Sequence, residues 1–590
     1  MRAATHVHIA SSWLHRFAKC LASGNVAATV SCLHPHGYLR DLLVFTWTPR
    51  TLHGPRPTAA YLADTLAAAA IVHVRPDARP GLAPEYGGLS DFLPLRAVSA
   101  GFAFTCAGGA GSGYFSLVAC PEVGGEWRAL VVMMRLEDIR GHEEIREVGG
   151  GCGEHTLAWS GVEAQRRAAI ESDPDVLIIG GGQTGLNVAA RFKQMRISAL
   201  VVEGNRRVGD NWRKRYPTLT LHSPKKMNSM LYQAYPRTWP VFTPRDKIAD
   251  WLEQYVETQD LVVWTNARPL PHPIYDGAAK RWTVVVDRGG TPVTLHPAHI
   301  VVAAGVLGAP RVPLVRDREV FRGVSLHSSE YQGGAVFAGH RVVVVGAGNT
   351  AADLCQDLVF HGARSVTMVQ RSGTWVVSSS SARRLMERMY PDELGVDVCD
   401  IMAMARPLAL MRKFDKVTER QMMEQERETH RGLREAGFNI VSGKNFLLRY
   451  YETHGGFWLD VGCAELIRTG KVKVKQGVEL SCFLEDSVMF TDGSYIEADT
   501  VIFAIDDSTS YEGIRDTMRC VFSDATMDQV GPVWGVDEEG ELRGVYRPTG
   551  HPGLWFAAGE FYQSRAFSKQ LALQIKAIEL GMLDSTWASG

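Results

Sequence analysis

Asp175-Val-Leu-Ile-Ile-Gly180-Gly-Gly182-Gln-Thr-Gly185 is an apolar run that turns through three spaced glycines into Leu186-Asn-Val-Ala-Ala-Arg-Phe. A short apolar run closed by glycines reads as a buried parallel strand, a tight turn and the start of a helix. Gly180 permits the turn, and Gly182 removes a Cβ so that the backbone can approach a pyrophosphate. Gly185 lets helix and strand pack closely. The first helical amides, at Gln183 and Thr184, then aim at the phosphates. About twenty residues further on, strand-like Ala199-Leu-Val-Val-Glu203 ends in a carboxylate, where the fingerprint needs an acceptor for a ribose hydroxyl. The stretch predicts a dinucleotide site in an α/β fold.

A second unit of the same kind follows: Arg341-Val-Val-Val-Val-Gly346-Ala-Gly348-Asn349-Thr350-Ala351. Its next strand, Ser365-Val-Thr-Met-Val-Gln370-Arg371-Ser372, ends in a cation with no carboxylate. A carboxylate there would repel a 2′-phosphate, whereas Arg371 can bond one as a rigid fork, worth roughly 1.5–3 kcal/mol. NADPH is therefore expected over NADH. The fold class expected is α/β with two Rossmann-like dinucleotide-binding domains.

The 590 residues are too many for one domain, and 45% apolar with 22% charged residues is globular composition. Lys+Arg 63 against Asp+Glu 64 leaves no basic field for nucleic acid or an anionic membrane. The ten cysteines include no Cys-x-x-Cys pair and no metal-spaced Cys/His cluster, so no metal site is expected. No apolar run approaches a membrane span. The expectation is a cytoplasmic protein acting on a small molecule, with a homo-oligomer left open.

Ahead of the first unit, residues 11–23, 25–33 and 58–66 read as helices. Trp13-Leu14, Phe17 and Leu21 give the first its apolar face. Strand-like runs at 92–104, 113–119 and 127–136 follow, with turn glycines between them. Helices before an antiparallel sheet mean α+β. The order resembles the cone-shaped fold of the SnoaL and nuclear-transport-factor-like group, in which a curved sheet wraps a pocket behind the opening helices. His34, His36, Asp41 and Trp47 are candidates to line such a pocket, against the plainer reading that they are ordinary core or surface groups. The domains expected are 1–147 for this unit, a linker over 148–172 with glycines at 149–151, and a flavin-type domain at 173–335. A second dinucleotide domain at 336–498 follows, with a methionine-rich helical insert at 376–455, and 499–590 completes the first.

Val208-Gly209-Asp210-Asn211-Trp212-Arg213, then Leu219-Thr-Leu221-His222-Ser223-Pro224, is similar to the flavin-containing monooxygenase family, including its plant indole-pyruvate members and fungal relatives. Phe321-Arg-Gly323-Val-Ser-Leu-His327-Ser-Ser-Glu-Tyr331 resembles the family's Phe-x-Gly-x-x-x-His-x-x-x-Tyr/Phe motif, and Ala303-Ala304-Gly305 its Ala-Thr-Gly segment. The resemblance implies FAD on the first unit and NADPH on the second. It implies Trp212 and Arg213 packed beside the flavin with Gly209 and Asn211 at the same turn, His222 and Ser223 near the isoalloxazine, and His222, Asn349 and His327 as catalytic candidates. It also implies insertion of one oxygen atom of O2 into a small organic substrate through a flavin C4a-(hydro)peroxide.

Three departures bear on that chemistry. Ala504-Ile505-Asp506-Asp507 stands where relatives have a second Ala-Thr-Gly, Gly559-Glu560 where they often have glycine followed by asparagine or aspartate, and Met227-Asn228-Ser229-Met230 where fungal relatives commonly carry tyrosine-aspartate-histidine. They leave open an NADPH oxidase or an oxidative cyclase or dehydrogenase, and a non-enzymatic binding protein on a degenerate base. No Cys-x-x-Cys follows either glycine motif, which speaks against a disulfide reductase. Met402, Met404, Met411, Met422 and Met423 of the insert read as core filler, with a lid over a substrate channel as the alternative.

Overall fold

The computed structural model describes residues 3–90, 93–145, 158–305, 310, 312–441, 446–453, 455–505 and 512–584. The glycines at 149–151 and the pair Asp506-Asp507 lie outside the described residues. Among those described, no helix is long and apolar enough to cross a membrane.

The first layer contains α1 (Ala3–Ala22), α2 (Val26–Ser31), β1 (Leu33–Leu42), β2 (Arg50–His53), α3 (Pro55–Ala69), β3 (Val72–Pro76), β4 (Glu85–Ser90), β5 (Leu93–Thr105), β6 (Gly109–Cys120) and β7 (Glu126–Ile139). It is α+β as expected, with the sheet in the order β2-β1-β7-β6-β5-β3 and β4 on β5. β1 runs parallel to β7, and the other pairs are antiparallel. α1 starts at Ala3 rather than 11; Thr5, Val7 and His8 are exposed, so no buried apolar stripe announces the helix before Ile9. Successive strand residues face opposite sides. Phe102, Phe115 and Leu117 face the helices, where Trp13 packs on Phe115 at 4.6 Å between ring centroids and Phe17 on Phe102 at 6.3 Å. That side of the sheet is filled by aromatic rings.

α4 (Trp159–Ser172) leads into β8 (Val176–Ile179), α5 (Gln183–Gln194), β9 (Ala199–Val202), α6 (Asp210–Arg213), β10 (Thr220–Pro224), β11 (Phe242–Pro244), α7 (Arg245–Thr258) and β12 (Val263–Trp264). A small antiparallel excursion, β13 (Ala267–Pro269), β14 (Ile274–Asp276), β15 (Arg281–Arg288) and β16 (Thr291–Leu295), precedes β17 (His299–Val302). The second unit has β18 (Val324–His327), β19 (Arg341–Val345), α8 (Asn349–Phe360) and β20 (Ser365–Gln370).

The insert begins with β21 (Trp375–Ser378) and α9 (Ser379–Met389). The insert is helical as expected, and after α9 it runs as four helices: α10 (Val396–Met404), α11 (Leu408–Lys413), α12 (Asp415–Gln425) and α13 (Arg427–Glu435). Pro407 cannot continue α10, and Phe414 and Glu426 leave helical ψ at the two later breaks. α14 (Phe446–Thr453), β22 (Phe457–Asp460), α15 (Cys463–Arg468), β23 (Val472–Gln476), the hairpin strands β24 (Leu480–Phe483), β25 (Ser487–Phe490) and β26 (Tyr495–Glu497), then β27 (Thr500–Phe503), α16 (Glu512–Thr517), α17 (Asp524–Met527), β28 (Leu554–Phe556) and α18 (Phe561–Glu579) complete the chain.

Two parallel five-stranded sheets result, β12-β9-β8-β17-β28 and β18-β27-β19-β20-β23. β18 and β27 both pair inside the second sheet, although residues 324–327 and 500–503 were expected in the flanking domain. Apolar alternation marks a strand but says nothing about which sheet receives it, so the sheet boundaries fall earlier and later than 336 and 498.

The N-terminal layer is bolted to the rest. Arg40 lies across the seam with Nε and Nη2 each 2.7 Å from the Glu541 carboxylate, bonds the Met404 carbonyl, and shares Glu541 with Thr51. Both side chains are buried, so each charge depends on the other for compensation. Beside them Tyr38, Ala97, Val118, Leu130 and Val131 pack on Leu410 of α11.

Candidate functional site

Both glycine turns are built as the sequence predicts. Gly180 sits at φ +111° and Gly346 at φ +131°, and a Cβ at either would fall 2.5 Å from the Ala303 carbonyl oxygen or 2.4 Å from that of Ala504. Neither α5 nor α8 has a side-chain cap or an acid in its first turn, and their N-cap residues are Gly182 and Gly348. The leading amides of both helices are thus left for an outside anion. Added Cβ atoms at Gly348 and Gly305 would meet nothing within 4 Å, and at Gly182 only the Asn211 amide at 3.4 Å. Open backbone beside uncapped amides is a cradle that fits the pyrophosphates of FAD and NADPH.

The side chains around the first turn divide. Glu203 is buried, with one carboxylate oxygen accepting from Gly181 N at 2.8 Å and the other from Asn205 N at 2.7 Å. Trp212 packs on the cores of both sheets, stacks on Phe561 at 6.4 Å, and keeps its indole N–H without a partner among the described residues. Arg213 does not turn toward the cradle. Its guanidinium donates to the Val208 carbonyl, Asp210, Asp250 and Glu253, because Gly209 at φ +86° presses α6 onto α7 and its row of acids. Ser223 bonds Asn228. Met227 and Ser229 offer their carbonyls to Arg565 of α18, itself locked on Asp400 of the insert at 2.7 Å.

Two of the three catalytic candidates meet. His222 lies 3.6 Å from Asp353, which also accepts from Tyr216 Oη at 2.6 Å. Burial lowers the His222 pKa, but the Asp353 hydrogen bond and charge and a bond to Asn349 outweigh it, and the net shift is upward. Asn349 Oδ1 in turn accepts from the Leu459 amide at 2.8 Å. The first turn of α8 therefore clamps the segment after β9 and touches the insert. Asp353 was missed in the sequence; its one signal is the i, i+4 spacing from Asn349.

His327 is not part of this cluster. Its ring nitrogens contact Ser329 Oγ and the Ile505 carbonyl, both at 2.8 Å. Both nitrogens serve the chain, so His327 positions Ile505 at the end of β27 and has no atom left for substrate. Arg371 and Ser372 are exposed, and Arg371 pairs with Glu479 at 3.1 Å.

A cavity of about 260 Å³ opens between the insert, α18 and the N-terminal sheet, lined among others by Met227, Tyr450, Leu459, Glu560 and Tyr562. Glu560 is the N-cap of α18; its amide donates to Gln563 Oε1 at 2.8 Å and Tyr450 Oη at 3.1 Å, and its carboxylate accepts from the Gln563 amide. Burial pushes its carboxyl up to about 7. Gly559, at φ +113°, is required there because a Cβ would fall 2.2 Å from Gln563 Oε1. Met402 and Met411 line the cavity, whereas Met404 and Met422 are buried in cores and Met423 packs against one.

The pocket expected behind the opening helices is not where this cavity lies, and His34, His36, Asp41 and Trp47 do not line it. Asp41 instead ties the loop after β1, accepting from Tyr61 Oη at 2.7 Å and from the amides of Val44, Phe45 and Thr46. Burial pushes it up to about 6 against those bonds.

Residues 173–527 match the flavin-binding monooxygenase-like family. The chain is 30% identical over 390 residues to the indole-3-pyruvate monooxygenase YUCCA8 of Oryza sativa subsp. indica, covering 64% of this chain and 82% of that protein. To the indole-3-pyruvate monooxygenase YUCCA6 of Arabidopsis thaliana it is 27% identical over 349 residues, 58% of this chain and 78% of that one. An open crystal structure of cyclohexanone monooxygenase superposes with a TM-score of 0.50 at 15% identity, over 70% of this chain and 88% of that chain. It shares the fold.

Proposed function

The chain belongs to the flavin-binding monooxygenase-like family, and from that membership we propose an NADPH-dependent, FAD-containing enzyme that transfers one oxygen atom of O2 to a small organic molecule. The observation that carries the reading is the pair of uncapped glycine turns joined through His222 and Asn349 beside a walled cavity with Glu560 in its lining.

Gly180, Gly182, Gln183, Thr184 and Gly185 would hold the FAD pyrophosphate, and Glu203 its ribose. Gly346, Gly348, Asn349 and Thr350 would receive NADPH, with Arg371 reaching the 2′-phosphate. When bound, the reduced flavin supplies electrons to O2 and delivers the oxygen atom. The chain's own work is placement, exclusion of water and proton control. Trp212 and Phe561 wall the side toward α18. Glu560, with a pKa near neutrality, can hold or release one proton at the cavity wall across physiological pH. We read the N-terminal layer as a SnoaL-like cone, on its helices-first order and on β1 running parallel to β7.

Rapid mixing tests the proposal: flavin-loaded protein is reduced anaerobically with NADPH and then met with oxygenated buffer. An oxygen-dependent spectral transient before full reoxidation is expected. Immediate reoxidation with stoichiometric hydrogen peroxide, with or without candidate substrates, would favour the oxidase, and a protein that retains no flavin would refute both.

A further inference from the structure

The N-terminal sheet has a second face, and it is turned toward the cavity. Glu85 on β4, Ser99 on β5, Ser116 on β6 and Val131 on β7 stand opposite one another in register, so they form one row across four strands. All four line the cavity, as do Gly87 and Tyr114. They occupy one face of the strand alternation, and the residues between them, Phe102, Phe115 and Leu117 among them, fill the space under α1. Serines in the middle of otherwise apolar strands have no purpose toward that core. Here Ser99 and Ser116 bond each other at 2.8 Å.

Resting on the monooxygenase reading above, we propose that this sheet face is the recognition wall of the substrate site, selecting a compact, uncharged, largely apolar molecule with one hydroxyl-type hydrogen-bonding group. The polar groups sit at the wall: Ser99, Ser116 and Tyr114, with Glu85 and Arg406 of opposite sign beside them. Burial pushes the Tyr114 hydroxyl up, against Arg406 and a bond with Ser99. The other walls are thioether and aromatic: Met227, Met386, Met389, Met402, Phe457 and Tyr562. Methionine walls adapt to irregular apolar shapes, which suits a class of ligand rather than one outline. Glu85 and Gly88 are exposed, so entry is past β4, with Glu560 on the opposite wall beside α18. The domain appended ahead of the flavin fold thereby decides what reaches it.

Gly87 gives a direct probe. A Cβ there would meet only Glu85 Oε1, at 4.0 Å, and its backbone is in no glycine-specific region. The test is calorimetric titration of 4-ethylphenol into the flavin-loaded full chain, with bound-flavin stoichiometry reporting on the fold of each variant. Gly87→Phe is expected to weaken binding at least tenfold by filling the cavity, and Tyr114→Phe several-fold by removing one hydroxyl. If wild type binds no 4-ethylphenol, or if both variants bind it as wild type does, the wall is wrong. Failure of NADPH to reduce the flavin would strike the oxygenase reading instead, since the titration needs no turnover.

Discussion

The two glycine turns look alike up to their third small residue. In the first, Gly185 has no room to spare: a Cβ would lie 2.0 Å from the Gly180 carbonyl oxygen and 3.3 Å from Ile178 Cγ2. In the second the matching position is Ala351, fully buried with its methyl already accommodated. α5 therefore lies closer to its own turn than α8 does, and the third position of the motif measures helix-to-turn distance rather than cofactor identity. The largest expected effect tests this. Gly185→Ala should cost about 2–3 kcal/mol by overpacking and release the flavin. Ala351→Gly should cost about 1 kcal/mol, the usual helix penalty. Denaturant midpoints and bound flavin per chain check both, and a Gly185→Ala protein that keeps its flavin and its midpoint would break the comparison.

The strand ends differ in the same sense. Glu203 is built into its turn through Gly181 and Asn205, whereas Arg371 is 71% exposed on a partner, Glu479, that is exposed as well. One site is preassembled for a resident group and the other waits for a visitor. Removing the buried acceptor, Glu203→Ala, should cost about 1.5–3 kcal/mol and lower flavin retention. Arg371→Ala should leave stability within about 1 kcal/mol of wild type. It should raise the KM for NADPH roughly tenfold, about 1.4 kcal/mol, and leave that for NADH in place. Steady-state kinetics with both nucleotides decides it, and an unchanged NADPH preference would move the 2′-phosphate contact elsewhere.

Much of this was legible in the chain because it is local. Strand, glycines and helix sit within about fifteen residues, so their periodicity and φ demands appear in sequence order, and both turns were found at their places. What was not legible needed partners far apart in the chain. Arg213 reads as a flavin neighbour in its motif, yet Asp250 and Glu253 on α7 claim it. His327 reads as a catalytic histidine, yet Ile505, 178 residues on, occupies its Nε2. β18 and β27 look like any buried strand until pairing assigns them to a sheet. The cavity joins β4, β6, α10, α14 and the cap of α18, and no spacing in one stretch records that assembly.

The smallest expected effect separates the pins that hold the two helices. α5 carries ion pairs of its own, Arg191 with Glu144 and Lys193 with Asp260, but its central pin is neutral, Asn187 Nδ2 donating to Ser564 Oγ at 2.8 Å and its Oδ1 accepting from the Leu231 amide. α8 is fixed by a group that titrates, His222 on Asp353 and Asn349. Burial disfavours the imidazolium, but Asp353 prevails, so the folded pKa stands above the unfolded one. The protonated ring then binds the seam most strongly. Its stabilisation is full below the ordinary histidine pKa and is lost as pH rises through the higher folded value. Between pH 6 and pH 8.5, wild type should lose stability relative to His222→Gln. Asp353→Asn, which keeps the shape but removes the charge, should abolish that difference, and mutating Asn187 should shift stability equally at both pH values. A pH slope that persists in Asp353→Asn would mean that a partner other than Asp353 raises the His222 pKa, and the pin assigned to α8 would be wrong.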